Sequence, residues 1–137
     1  MAVPRINEDC DEVEYDGDLI LYSGEPFTGI GYEETQSGVL ISEIAYKKGL
    51  PHGPGKLWYR SGQPKAVTNN HRGLSHGVST FWYENGKLKE ENSAEFGITL
   101  WKKCWDERGT MVEDYTIEKG SGQWRLLEKH RVQYADW

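Results

Sequence analysis

Short extended segments and glycine-containing turns alternate along most of the chain. A glycine recurs about once every dozen residues and costs roughly 1 kcal/mol in a helix interior, so no long helix fits this pattern. Asn85-Gly86 is the strongest turn signal, because both residues tolerate the positive φ of a type I′ hairpin turn. The pattern therefore predicts a series of antiparallel β-hairpins.

The turns repeat with a period of 24 residues, and the fourth copy is one residue shorter. Thirteen of the 16 glycines lie on this lattice, namely Gly29, Gly53 and Gly77, Gly31 and Gly55, Gly38, Gly62, Gly86 and Gly109, and Gly49, Gly73, Gly97 and Gly120. Two residue pairs share the register, with His52-Gly53 recurring as His76-Gly77 and Trp58-Tyr59 as Trp82-Tyr83. A fixed period of this kind is typical of repeat proteins, in which neighbouring units stack.

We expect an all-β fold, an elongated single-layer antiparallel sheet that is a meander of 24-residue β-hairpin repeats. Residues 1–15 are expected to form an acidic N-terminal arm, residues 16–120 the repeat domain, and residues 121–137 a C-terminal cap. The cap is expected to be a short helix around residues 126–131 or a capping strand. Gly29 and Gly31, at the start of a first strand, are expected to allow a sharp bend or a close backbone approach.

The repeat unit resembles the variant MORN repeat over roughly residues 16–120. Its form is Gly-x-x-x-Gly-x-x-x-x-Trp-Tyr-x-Asn-Gly-x-Leu, and a Tyr-x-Gly-x-Pro-Phe-Thr-Gly segment precedes the copies at residues 22–29. The residues that match the unit are Gly73, Gly77, Trp82, Tyr83, Asn85, Gly86 and Leu88. Three copies depart from it, with Glu34-Thr35 in place of Trp-Tyr, Pro64 in place of Leu, and Trp101 in place of the first Gly.

The resemblance implies a protein that acts by binding. Bacterial proteins built from this variant repeat are similar to antitoxins, or to immunity proteins paired with polymorphic toxins, and they neutralise a toxin by binding it. The family carries no catalytic residues, so the resemblance assigns none to this chain.

The net charge of −6 lies in residues 1–18, which are the arm and the start of the repeat domain. The acidic residues there are Glu8, Asp9, Asp11, Glu12, Glu14, Asp16 and Asp18, against the single Arg5, and the other 119 residues carry equal numbers of acidic and basic side chains. An acidic protein without a basic patch disfavours nucleic acid and anionic membranes as partners and suits a basic protein. The alternative is a solvated, partly disordered tail that aids solubility.

Composition favours a folded protein in a reducing compartment. Aromatic residues make up 12% of the chain, which favours burial of ring area although the aliphatic content is low. No run approaches the ~18 apolar residues of a membrane helix, and the first residues have no apolar signal-peptide core. The chain has two cysteines, Cys10 and Cys104, and a disulfide framework or a zinc site would need more of them at closer spacing. We expect two reduced cysteines in a cytoplasmic protein.

The residues that could carry chemistry form no catalytic or metal-binding pattern. His52 and His76 occupy the same repeat position, which favours a structural role. The chain contains neither an HExxH motif nor a phosphate-binding GxxxxGK[ST] loop. Adjacent carboxylates such as Glu90 and Glu91 point to opposite faces of a strand, so they do not form an acid/base pair. We predict a protein that is not an enzyme and has no metal site and no cofactor.

The aromatic rows are the remaining candidates. With the two-residue period of a strand, Trp58, Trp82 and Trp105 line one face of the sheet, and Leu57, Tyr59, Phe81, Tyr83 and Cys104 line the other. Such rings can stack and hold the sheet together, or they can contact a partner, because tryptophan and tyrosine are enriched in interface hot spots. The predicted partner-binding residues are Glu34, Trp58, Tyr59, Trp82, Tyr83 and Trp105, with Asp9, Asp11 and Glu12 in the arm.

The leading hypothesis is an immunity protein or antitoxin that occludes the active site of a cognate protein toxin. Its acidic residues would complement a toxin whose substrate cleft is basic because the toxin acts on nucleic acid or a nucleotide. The alternative is a MORN-type scaffold or membrane-apposed interaction module. The lack of a basic patch counts against the membrane version.

Overall fold

The chain is mostly β-strand in the computed structural model, which describes residues 3–137. The strands are β1 (Arg5–Asn7), β2 (Val13–Asp16), β3 (Leu19–Tyr22), β4 (Glu25–Pro26), β5 (Gly29–Glu34), β6 (Leu40–Lys47), β7 (Leu50–Trp58), β8 (Pro64–His71), β9 (Leu74–Ser75), β10 (Gly77–Trp82), β11 (Leu88–Glu95), β12 (Ile98–Trp105) and β13 (Met111–Thr116). One helix follows them in the described range, α1 (Gly122–Gln133).

Ten strands form one long sheet, in the order β1-β5-β6-β7-β8-β10-β11-β12-β13 with β9 beside β8. Neighbouring strands are antiparallel, except that β1 runs parallel to β5. The predicted all-β meander and the predicted short C-terminal helix are both confirmed.

The strand register defines two faces of this sheet, because directly paired residues share a face. One row of pairs crosses the sheet through Glu33, Ser42, Leu57, Ala66, Phe81, Glu90 and Cys104. The register shifts after Leu57 and Phe81, so Trp58 pairs with Pro64, two residues from Ala66, and Trp82 pairs with Leu88, two residues from Glu90. Trp58 and Trp82 therefore share this side with Leu57 and Phe81, and we name it the tryptophan face. The opposite side, on which Tyr59 and Tyr83 lie beside Lys65 and Lys89, is the tyrosine face. The tryptophans and tyrosines lie on opposite faces as predicted, but the predicted grouping of Leu57 with Tyr59 and of Phe81 with Tyr83 is wrong, because the extra residue at each shift breaks the two-residue period.

A β-bulge recurs where the first strand of each hairpin ends. The register shifts at Glu33/Glu34, Leu57/Trp58, Phe81/Trp82 and Cys104/Trp105. A bulge adds one residue to one strand and increases the local twist. Because the shift recurs in every copy, Glu34, Trp58, Trp82 and Trp105 occupy equivalent positions along one long edge of the sheet, which we name the tryptophan edge.

The acidic N-terminal segment is folded against the sheet. Strand β1 pairs with β5, and β2, β3 and β4 form a separate three-stranded sheet whose Ile20 side chain is 1% exposed. A Cβ atom at Gly29 would collide with the carbonyl oxygen of Pro4, so the predicted close backbone approach at Gly29 is confirmed. The alternative prediction of a partly disordered tail is wrong for the described part of this segment, because strand pairing holds it, but its acidic side chains other than Glu8 are exposed to solvent as that prediction expected.

Helix α1 covers the other end of the sheet. The Ser121 side chain caps the helix by accepting a hydrogen bond from the N–H of Trp124 at 3.2 Å. Leu127 is fully buried, and Arg131 pairs with Glu95 of β11 at 2.7 Å. The core therefore lies in two parts, one under the small sheet and one under the helix. The middle of the long sheet is left as a single layer.

Candidate interaction site

Most residues that the sequence singled out lie along the tryptophan edge. Glu34 is exposed there, and Trp58, Trp82 and Trp105 are half-buried. Successive copies are two strands apart, or about 10 Å, so the row from Glu34 to Trp105 is about 30 Å long. The row is acidic at its first position and aromatic at the three that follow.

The two tyrosines of the repeated pairs bind one copy to the next. The Tyr59 hydroxyl donates a hydrogen bond to the carbonyl oxygen of Trp82 at 2.8 Å, and Tyr83 donates to the carbonyl oxygen of Trp105 at 2.9 Å. Each bond joins equivalent positions of neighbouring copies. Tyr59 and Tyr83 therefore have a structural use that does not depend on a partner.

The tryptophans of the edge do not stack on one another. Within residues 3–137, the ring–ring contacts join other residues, and none includes Trp58, Trp82 or Trp105. Ring stacking, one of the two uses that the sequence left open for these side chains, is therefore absent from the described residues.

Two open grooves lie near this edge, and Leu57 and Trp58 line both. The first has a volume of about 460 Å³ and also has Trp82 and Pro64 in its lining. The second is larger, about 660 Å³, and also has Ile44 and Tyr59 in its lining and Glu33 at one end. Both combine apolar walls with a few polar groups, the composition typical of binding sites.

The turn between β1 and β2 carries three exposed candidates, Asp9, Asp11 and Glu12. Because β1 is parallel to β5 and pairs Asn7 with Tyr32, this turn lies at the tryptophan edge, beside the end of β5. The structure therefore brings the acidic turn together with Glu34. It does not bring the turn near Trp105, which lies at the far end of the row.

Glu8 is a buried carboxylate that sequence reasoning did not single out. Its side chain is 9% exposed, and its Oε1 accepts hydrogen bonds from the hydroxyls of Tyr15 at 2.8 Å and Tyr46 at 3.0 Å. Burial and the neighbouring Glu8 carboxylate raise the pKa of both tyrosines. No local pattern marks Glu8 among the acidic residues, because its partners lie on β2 and β6.

The opposite long edge, which carries the turns at Gly49, Gly73 and Gly97, is the histidine edge. Its turn residues donate backbone N–H groups to three side chains that occupy the same position in successive copies. The bonds run from Lys48 to Thr28 Oγ1 at 2.9 Å, from Arg72 to His52 Nδ1 at 3.1 Å, and from Phe96 to His76 Nδ1 at 3.0 Å. These acceptors support non-glycine residues with φ between 49° and 53°. The predicted structural role of His52 and His76 is confirmed.

His71 and Trp137 close this edge, and the sequence pattern did not reveal their contact. The His71 ring lies 4.3 Å from that of His52 and 4.5 Å from that of Trp137, measured between ring centroids. Burial, and then His52, His76, Arg72 and Lys47, lower the pKa of His71. No group of three or more histidine, cysteine or acidic side chains in the described residues could hold a metal ion.

The segment Gly73-Leu74-Ser75-His76-Gly77 has the letters of the GxSxG nucleophile motif. That motif requires a serine on a sharp turn between a strand and a helix. Here Ser75 lies in the short strand β9, paired with Asn70, and His76 Nδ1 accepts a hydrogen bond from the backbone instead of activating the serine. Both glycines belong to the repeat, so the match assigns no nucleophile.

Neither cysteine has the environment of a reactive thiolate. Cys10 donates to Glu12 at 3.0 Å, and this hydrogen bond raises the pKa of its thiol. Burial and the Glu90 carboxylate raise the pKa of Cys104. Both thiols therefore favour the protonated form, which is the poorer nucleophile. In the described part of the chain, α1 is too short and too polar to cross a membrane.

Comparison with known proteins gives two matches. The family model for the MORN repeat variant matches residues 75–93. The chain is also 38% identical, over 114 residues, to Immunity protein YwqK of Bacillus subtilis (strain 168). That alignment covers 83% of this chain and 74% of the relative. The chain belongs to the variant MORN-repeat family that includes YwqK.

The MORN-repeat match falls on a copy that makes both kinds of bond between neighbouring units. Residues 75–93 run from β9 into β11 and contain the Trp82-Tyr83 pair and the Asn85-Gly86 turn. In this copy His76 and Tyr83 both make the bonds that join neighbouring units. The resemblance inferred from the sequence is confirmed, and the MORN-repeat signature consists largely of the residues that build the sheet.

Proposed function

We propose that this protein is an immunity protein, or antitoxin, that binds a cognate toxin and neutralises it by occluding the toxin's active site. Its membership of a family that includes an immunity protein supports this role. The observation that carries the proposal is the row of half-buried indoles on the tryptophan edge, which make no ring contact within the described residues although the tyrosines beside them are fully used by the repeat.

Trp58, Trp82 and Trp105 are the proposed aromatic anchors of the interface. Tryptophan is enriched among interface hot spots, where truncation costs about 2 kcal/mol or more. A row about 30 Å long also suits an interface of ordinary size, which buries about 800 Å² on each partner. Tyr59 and Tyr83 then act indirectly, because they hold neighbouring copies and their tryptophans in register.

The acidic turn and Glu34 are proposed to face a basic substrate cleft on the toxin. A cleft of that charge is expected of a toxin that acts on nucleic acid or a nucleotide. Opposite charges would steer the two proteins together and raise the association rate. We further propose that the chain acts by binding in the cytoplasm, without catalysis of its own, and that neither nucleic acid nor membrane is its partner.

Co-expression with the toxin encoded by the adjacent gene tests this function. The unaltered chain should restore growth and co-purify with the toxin, and Trp82→Ala should weaken both effects. Trp124→Ala removes an indole from α1, away from the tryptophan edge, and serves as the matched control that should still rescue growth. A chain that neither rescues growth nor co-purifies with the toxin contradicts the proposed function.

A further inference from the structure

The larger of the two grooves has an apolar floor with a carboxylate at one end. Ile44 and Leu57 line the floor, and Glu33 lies at the end nearest the acidic turn. The other end carries both charges, from Arg60, Lys65 and Glu84. No residue of the small sheet or of α1 lines this groove, so it is open along the middle of the long sheet.

The carboxylates at the Glu33 end have no cation beside them. In the described residues, ion pairs join Arg5 to Glu43 at 2.7 Å, Arg131 to Glu95 at 2.7 Å, and Lys102 to Glu113 at 3.6 Å and Glu90 at 4.0 Å. None reaches Glu8, Asp9 or Glu33. Burial, followed by the charges of Glu8 and Asp9, raises the pKa of Glu33, as expected for a carboxylate with negative neighbours.

Glu8 provides a second, independent sign that a positive group is missing. Its Oε1 accepts two tyrosine hydroxyls, but its Oε2 is buried and has no hydrogen-bond partner within residues 3–137. This oxygen lies 2.8 Å from the position that a Cβ at Gly31 would occupy. Gly31 and Glu33 share a face two residues apart, about 7 Å along β5, so the unpartnered oxygen lies on the face of Glu33, just beyond the acidic end of the groove. A buried carboxylate oxygen without a donor is costly.

We propose that this groove receives an arginine or lysine side chain of the toxin, with its charge at Glu33 beside Glu8 and its aliphatic stem along Leu57 and Ile44. Long basic side chains commonly bury their methylene groups on apolar surface while the charged head reaches a polar group. This inference rests on the proposed function and extends it, because it assigns the Glu33 end of this groove a contact of its own.

Glu33→Gln tests the contact with a readout that separates binding from folding. In the free protein the substitution removes one of three neighbouring negative charges, so the melting temperature should rise. Binding to the purified, catalytically inactivated toxin from the adjacent gene should weaken by about tenfold, and its salt dependence should become shallower. The control is Glu25→Gln, which changes the net charge equally at an exposed residue of β4 and should leave the dissociation rate unchanged.

A charge reversal makes the test stricter. Glu33→Lys should weaken binding further than Glu33→Gln, and replacing the matching basic residue of the toxin by glutamate should restore part of the loss. The inference is overturned if Glu33→Gln and Glu25→Gln bind the toxin equally well, or if Glu33→Gln lowers the melting temperature. In those cases toxin binding by the unaltered chain still stands. If the unaltered chain does not bind the toxin, the proposed function fails and this contact fails with it.

Discussion

Replacing Trp82 and Tyr83 one at a time should separate the role of this pair in stability from its proposed role in toxin binding. The two side chains lie on opposite faces of the sheet. Tyr83 joins its copy to the next through a hydrogen bond to the carbonyl oxygen of Trp105, whereas the indole of Trp82 lines the smaller of the two open grooves. We therefore expect Tyr83→Phe to reduce stability alone, and Trp82→Ala to reduce affinity for the toxin beyond any effect on stability.

The expected magnitudes follow from the contacts. Tyr83→Phe keeps the ring and removes one hydrogen bond of 2.9 Å, which should cost about 0.5–1.5 kcal/mol of unfolding free energy. Truncating a fully buried core tryptophan to alanine costs about 3–5 kcal/mol of unfolding free energy. Trp82 is half-buried, so Trp82→Ala should cost about 2 kcal/mol of stability. If Trp82 is an interface anchor, the same substitution should also cost about 2 kcal/mol of binding free energy, which is about a 30-fold loss of affinity.

Urea unfolding and isothermal titration with inactivated toxin measure the two quantities on the same samples. Titration is done under conditions in which every variant is folded, so that a loss of affinity is not a loss of folded protein. The reasoning is refuted if Tyr83→Phe weakens binding as much as Trp82→Ala does. It is equally refuted if Trp82→Ala binds normally once folded, because the interface would then lie elsewhere.

Three further changes test the fold itself. The pKa of His71 is lowered in the folded state, so the unfolded chain binds more protons as the pH falls. The stability that comes from the neutral His71 ring should be complete above about pH 6.5 and be lost as the pH falls through the folded-state pKa. Urea unfolding across that range checks this, and His71→Gln should flatten the profile. Trp137→Ala removes a ring 4.5 Å from His71 and should cost about 2 kcal/mol, with faster amide exchange in α1 as the measurement. Gly29→Ala should release β1 and lower the melting temperature more than Gly38→Ala does, since both have positive φ but only a Cβ at Gly29 meets backbone atoms.

Short-range signals were enough to predict the repeat sheet. The glycine lattice predicted the turns, and positive φ values at Gly38, Gly62 and Gly86 agree with it. The two-residue period placed Trp58 and Tyr59 on opposite faces. These features depend on residues close together in the chain or in the same position of successive copies, where a period in the sequence becomes a period in space.

The contacts at the ends of the sheet could not be predicted in the same way. Glu8 bonds to Tyr46, which is 38 residues away, and Trp137 packs on His71 without sharing any repeat position with it. Such pairings depend on how the terminal segments fold back over the sheet, and a repeat pattern contains no information about that path. The arm was expected to carry charge to a partner, but part of its charge is used in holding the small sheet in place.

The repeat separates the residues that build the sheet from those that can vary. Tyr59, Tyr83, His52 and His76 join neighbouring copies through hydrogen bonds to backbone groups, and none of these bonds requires an indole at the tryptophan edge. In a stacked array each copy needs only its neighbours, so a change of edge residue weakens its own hairpin without removing the bonds that join the copies. Copy one illustrates this, because Glu34 stands where the later copies have tryptophan, and its hairpin keeps the same bulge. The tryptophan edge is therefore the part of the lattice where the residue can change between copies without a change of fold, as the proposed interface requires.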